Sequence, residues 1–193
     1  MKNQKTKSNL KWWLIGAGVL ILVLIAFGVG TYNRLIALEG GVAEKWANVE
    51  TQYQRRIDLI PNLVSTVKGY ATHERDLFTQ ITELRSQWAN AKTVDAKINA
   101  AQGLESVVSK LLMVSEAYPQ LKANENFLSL QDELAGTENR VAVERTRYNE
   151  AVLAYNVAIK RVPTNLLAGM FGFEPKSMFE AQAGAEKAPT VTF

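Results

Sequence analysis

From residue 35 onward the apolar positions fall three and four apart. Leu35, Leu38, Val42, Trp46, Val49, Tyr53, Ile57, Ile60, Val64, Val67 and Tyr70 are followed, after a wider gap around Glu74, by Leu77, Ile81, Leu84 and Trp88. That spacing is the mark of a helix with one buried stripe. A second stripe, Ile98, Ala101, Leu104, Val108, Leu111, Ser115 and Tyr118, comes after the polar stretch 89–93, and Pro119 is predicted to end it. The third is the most regular: Phe127, Leu130, Leu134, Thr137, Val141, Arg145, Tyr148, Val152, Tyr155, Ile159 and Val162. It predicts one helix of about 36 residues, ~54 Å long, with Asn124 or Asn126 as its cap and Pro163 as its end. Such a helix is stable only with its stripe buried against a neighbour. The predicted fold is therefore all-α, an elongated antiparallel bundle of three to four long helices over 32–163.

Two places in the first stripe predict an interruption. Gly40–Gly41 costs about 1 kcal/mol per glycine relative to alanine and predicts a hinge. Pro61 in DLIPNL removes a backbone donor and predicts a kink or a break, with Asp58 or Asn62 capping the restarted helix.

Ahead of the bundle the pattern changes from striped to uniformly apolar. Residues 12–30, WWLIGAGVLILVLIAFGVG, carry no charge, and eleven of them are Leu, Ile, Val or Phe. As a helix they cover about 28 Å, close to a bilayer's hydrocarbon thickness. Those eleven side chains favour insertion by about 3 to 7 kcal/mol. Trp12, Trp13 and Tyr32 suit the two interfaces. A cleaved signal peptide also has a basic start and a small-residue site like Gly28-Val29-Gly30, but its apolar core is usually ~7–15 residues. The reading is a retained transmembrane helix over 12–31 that makes the lipid bilayer a partner. Lys2, Lys5, Lys7 and Lys11 in the arm 1–11 keep that arm cytoplasmic and export the rest.

After Pro163 the segment 164–180 is apolar and rich in Gly and Pro, too short for another span, and is predicted to cap the bundle end or touch membrane. Residues 181–193 read as a flexible tail.

Composition removes several chemistries. The formal net charge is +3 with acids and bases interleaved, so nucleic acid is not an expected partner. There is no cysteine and one histidine, His73, which reads as a mid-helix surface residue. No metal, cofactor or small-molecule substrate is expected, and no nucleophile–base pair suggests an enzyme. The residues singled out for partner binding are Arg55, Arg56, Asp58, Pro61 and Asn62 at the DLIPN turn, and Phe171, Phe173 and Phe179 in the apolar segment. Glu138-Asn139-Arg140 with Asn149 and Asn156, beside Tyr148 and Tyr155, reads either as an exposed flank or as a polar layer that fixes helix register.

Longer strings carry a family likeness. YNRLIALEGGV after a single span, WANVETQYQRRIDLIPNLVSTVKGYATHE, AYPQLKANENFLSLQDELAGTENRVAVERTRYNEAVLAYN and the later FGF together resemble the LemA family of bacterial membrane proteins. Gly40–Gly41 departs from the helix formers expected at that point. The resemblance implies a single-pass protein of the bacterial inner membrane with a long-helix bundle, and it brings no catalytic residues. The expected function is a non-enzymatic, membrane-anchored scaffold that assembles as a homo-oligomer. The alternative is an adaptor for a membrane protease or another envelope quality-control partner.

Overall fold

The computed structural model describes residues 4–71 and 73–180, with side chains from Lys11 onward. The side chains of Lys2, Lys5 and Lys7 and the tail 181–193 lie outside the described residues. The described chain is helical: α1 (Gln4–Lys68), α2 (Arg75–Asn90), α3 (Val94–Val114), a 3-10 turn (Ser115–Ala117), α4 (Pro119–Lys122), α5 (Glu125–Lys160) and α6 (Thr164–Phe171).

The break predicted at Pro61 does not occur. α1 takes in the apolar run, Gly40–Gly41 and Pro61 without a break. An interior proline costs roughly 3 kcal/mol, but Pro61 lies on the exposed face while Ile57, Ile60, Leu63 and Val67 are buried. Burying four such side chains, at about 1.5–3 kcal/mol each, outweighs the proline. Asp58 and Asn62 therefore cap nothing. The Asp58 carboxylate accepts from Gln54 Nε2 at 2.8 Å, and the Asn62 carbonyl accepts from the Thr66 hydroxyl at 2.9 Å. The first helix ends instead at the wider gap, where the Tyr70 and Ala71 amides both donate to the Val67 carbonyl. His73 sits exposed in this turn, and not within a helix as its neighbours suggested.

Pro119 opens α4 at its first turn, where its missing N–H costs nothing. α3 begins on Thr93, whose hydroxyl accepts from the Ala96 amide at 3.2 Å. α5 has the predicted 36 residues. Asn124 is its cap, Oδ1 accepting from the Phe127 amide at 3.0 Å. The predicted α5 stripe is buried from Phe127 to Ile159 apart from the half-buried Leu130 and Arg145, while Val162, beyond the helix, is exposed. α6 stops at Gly172, whose φ of 75° is the left-handed conformation that only glycine adopts cheaply. Residues 173–180 run on without helical turns.

The chain divides into two compact units. One comprises Met1–Ala43 and Leu153–Lys176. Leu35, Val42, Tyr155, Ile159 and Ala168 are buried within it. Tyr32 meets Phe171 and Phe173 edge-on at 4.9 and 5.8 Å between centroids. This unit also carries the candidate membrane span, and no residue of that span's apolar window is buried. The other unit comprises Glu44–Val152 and Ser177–Phe193. Here α1, α2, α3 and α5 form a helical bundle around Val49, Tyr53, Ile60, Leu63, Ile81, Leu104, Leu111, Phe127 and Val141.

Gly40 and Gly41 lie in the interior of α1, and a Cβ at either would meet nothing within 4 Å. Replacing each with Ala is expected to stabilise the protein by up to about 1 kcal/mol. Denaturant titration in detergent checks this; lower stability in G40A/G41A would mean that the pair is needed as glycine.

Candidate functional site

The bundle unit encloses a carboxylate. Glu105 sits on α3 between Leu104 and Val108, and its position one step off the apolar stripe turns it into the interior, 7% exposed. Two helices supply partners for it. From α1, the Tyr53 hydroxyl donates to Oε1 at 2.7 Å, and Arg56 Nη1 stands 4.0 Å from the same oxygen. From α5, Arg145 Nη2 donates to Oε2 at 3.1 Å. Arg56, itself only 8% exposed, is also ion-paired with Glu138 of α5. Next to this node Lys97 of α3 pairs with Glu50 of α1, and its ammonium lies 5.5 Å from the centroid of the Trp88 ring on α2. An unpaired buried carboxylate would be prohibitive, and donors on two facing helices make it tolerable while fixing their register. Burial and, after it, the neighbouring Glu105 charge push the Tyr53 phenol far above its usual range.

A second polar device holds the segment after α6. In the bundle unit, Asn149 makes a two-way amide clamp on Phe179: its Oδ1 accepts from the Phe179 amide at 2.9 Å, and its Nδ2 donates to the Phe179 carbonyl at 3.0 Å. Beside it the Tyr148 hydroxyl donates to the Ser177 carbonyl at 2.9 Å. Burial, and secondarily Asp95, pushes the Tyr148 phenol up to about 12. The other unit repeats the chemistry. Asn156 Oδ1 accepts from the Lys176 amide and its Nδ2 donates to the Lys176 carbonyl, both at 2.9 Å. The Tyr155 hydroxyl donates to the Glu174 carbonyl at 3.1 Å. There too, Lys176 Nζ pairs with Glu39 at 2.7 Å, and that bond raises the Lys176 pKa.

The side chains singled out from sequence are not gathered into one site. Arg55, Asp58, Pro61 and Asn62 are exposed on α1, and Arg55 lines a groove of about 300 Å³ with Asp132, Glu133, Gly136, Thr137 and Arg140. Arg56 faces inward. Phe171 is exposed and Phe173 half-buried in the first unit, whereas Phe179 is buried in the bundle unit. Of the residues expected in a polar layer, one meets the Glu105 node. Glu138 joins it, Asn139 and Arg140 stay exposed, and Asn149 and Asn156 bind backbone of the segment after α6. Sequence reasoning missed Glu105. Its signal was Arg145, a charged residue inside an apolar stripe, which requires a buried acid opposite it. Among the described residues no three His, Asp or Glu side chains converge as a metal site.

Glu105→Gln leaves the Arg145 guanidinium without its carboxylate and Arg56 with Glu138 alone, and is expected to cost about 3–5 kcal/mol of unfolding free energy. Glu138→Gln, whose side chain is 45% exposed, is expected to cost about 1 kcal/mol or less. Equal losses in denaturant titrations would contradict the assignment of Glu105 as the centre. A phenol whose folded pKa exceeds the unfolded value of about 10 contributes stability in full below that pH and loses it as pH rises further. Tyr53 is thus expected to ionise only as helicity is lost, and Tyr53→Phe to remove that part of the alkaline decline. Tyrosinate absorbance followed beside circular dichroism checks both.

Known proteins resemble this chain in sequence. The model of the LemA family matches residues 45–193. Magnetosome protein MamQ 2 of Paramagnetospirillum magneticum is 24% identical over 198 residues, covering 89% of this chain and 72% of that protein. Magnetosome protein MamQ of Magnetospirillum gryphiswaldense is 23% identical over 203 residues, covering 90% and 74%. Protein LemA of Metamycoplasma hominis is 23% identical over 156 residues, covering 79% and 70%. With more than half of its residues inside the matched range, the chain belongs to the LemA family.

Proposed function

We propose that this protein is a non-enzymatic, membrane-anchored helical scaffold that assembles with copies of itself in the bacterial inner membrane, its short N-terminal arm in the cytoplasm. The observation that carries the reading is the surface of α1. Every large apolar side chain from Trp12 to Ile25 is more than half exposed. An uninterrupted sleeve of that kind suits lipid and not water. The charged interior supports a binding role over a catalytic one. Glu105, Arg56 and Arg145 are occupied by one another, which leaves no free acid or base at the node. Exposed apolar residues on α5, Val143 in one unit and Leu153 and Val157 in the other, supply surface for weak contacts between copies. Anchoring confines the copies to two dimensions and raises their effective concentration, so weak contacts suffice.

The adaptor reading has less support. Two of the side chains it would use, Arg56 and Phe179, are buried within the bundle unit. Arg55 and Asp58 are the exposed residues that a partner could reach.

Light scattering of the protein extracted in mild detergent tests the scaffold. The expected protein mass is a multiple of the 21.4 kDa chain, reduced when residues 1–30 are deleted. A strictly monomeric mass for the full chain would overturn the reading.

A further inference from the structure

α6 is turned inside out for a helix that faces water. Its large apolar side chains point away from the protein. Leu166 is 67% exposed and Met170, one turn on along the same face, is 77% exposed. Val162, just ahead of the helix, is 81% exposed. The position that α6 buries is Ala168, with Thr164 and Leu167 half-buried beside it. A helix lying against water places leucine and methionine inward and threonine outward. The face left open here is apolar, and such a face marks a contact with lipid or protein.

Its place in the fold selects lipid. Between Lys11 and Gly30 no residue of α1 is buried, and Thr31, 9% exposed, is the first that is. The end of α6 meets α1 at that boundary, where Tyr32 packs on Phe171 at 4.9 Å and Phe173 at 5.8 Å. The same unit shows which direction leads away from the span. Lys176, clamped by Asn156 of α5, pairs with Glu39. Glu39 lies about 10 Å beyond Tyr32 along α1. α5 therefore runs outward from the bilayer toward its own N-terminal end, and α6 is left at the level where the apolar sleeve stops. Lys160 and Arg161, exposed between α5 and α6, supply cations there for lipid phosphates.

We propose that α6 is an interfacial helix: it lies in the headgroup region of the leaflet that the span leaves at Tyr32, with Leu166 and Met170 among the acyl chains. The bilayer is then held at two places, by the span and by α6. The proposal rests on the membrane-anchored part of the reading above and is independent of self-assembly. An amphipathic helix held in this way sinks its apolar face about 5–10 Å into the boundary between headgroups and acyl chains.

The chain has no cysteine, so a single introduced one takes a nitroxide label cleanly. The variants are Leu166→Cys, Met170→Cys, Ala154→Cys and Leu20→Cys, each in the full chain reconstituted into vesicles of phosphatidylcholine and phosphatidylglycerol. Every one of these positions is exposed, so the substitutions leave the packing undisturbed. Collision of the label with oxygen, which enters lipid, is compared with collision with a nickel chelate, which stays in water. Labels at 166 and 170 are expected to favour oxygen several-fold more than the label at 154, at depths of about 5–10 Å. The label at 20, inside the span, is expected to lie deeper still. Labels at 166 and 170 as open to the chelate as that at 154 would overturn the proposal. Labels shielded from both reagents would overturn it too, because a protein neighbour then covers the face. An aqueous reading at 20 removes the anchor and α6 contact together. A deep reading at 20 with aqueous readings at 166 and 170 leaves the anchor standing and removes the interfacial helix alone.

Discussion

A single carboxylate sets the terms for the bundle unit. Glu105 is buried on α3, and Tyr53, Arg56 and Arg145 reach it from α1 and α5. Hydrophobic burial holds the helices together but is tolerant of sliding, since one leucine replaces another at the next turn. The node is not tolerant. A shift of α5 by one turn would move Arg145 about 5.4 Å and leave two opposite charges unpaired in the interior. Register follows from that geometry. The Arg145 guanidinium that closes the node also covers the Phe179 ring, so the charged centre and the held segment share a wall.

The Tyr-Asn pairs are the other recurring device. They stand seven residues apart in the chain, at 148–149 and 155–156. In each unit the tyrosine is buried, and its hydroxyl and the asparagine amide satisfy backbone groups that a segment without helical turns leaves unpaired. Side-chain amides suit the task because they carry a donor and an acceptor on one planar group.

Much of the fold is legible in the residues, because long amphipathic helices write their period directly into the chain. The α5 stripe and its length follow from spacing alone, with the cap narrowed to Asn124 or Asn126, as does the apolar run before the bundle. Punctuation is harder to read. Pro61 looks like a break, but whether a proline breaks a helix depends on what its neighbours bury, and Ile57, Ile60, Leu63 and Val67 decide the matter only once the bundle is assembled. Gly69 and His73 mark the real turn with a weaker signal. The site is less legible still. Arg145 within an apolar stripe announces a buried charge without saying which of nineteen acidic residues answers it. Asn149 and Asn156 look like exposed flanks or register-setting polar residues, since the backbone they bind comes from a later segment with no periodicity to locate it.

Glu105 and its arginines can fix the helices only as one coupled unit, and a double-mutant cycle between Glu105→Gln and Arg145→Gln measures that coupling directly. The two losses in unfolding free energy should fall short of additivity by about 1–3 kcal/mol, because the second substitution removes a charge already stripped of its partner. Additivity within about 0.5 kcal/mol would mean that the two side chains do not depend on each other, and the node would not be what fixes the helices.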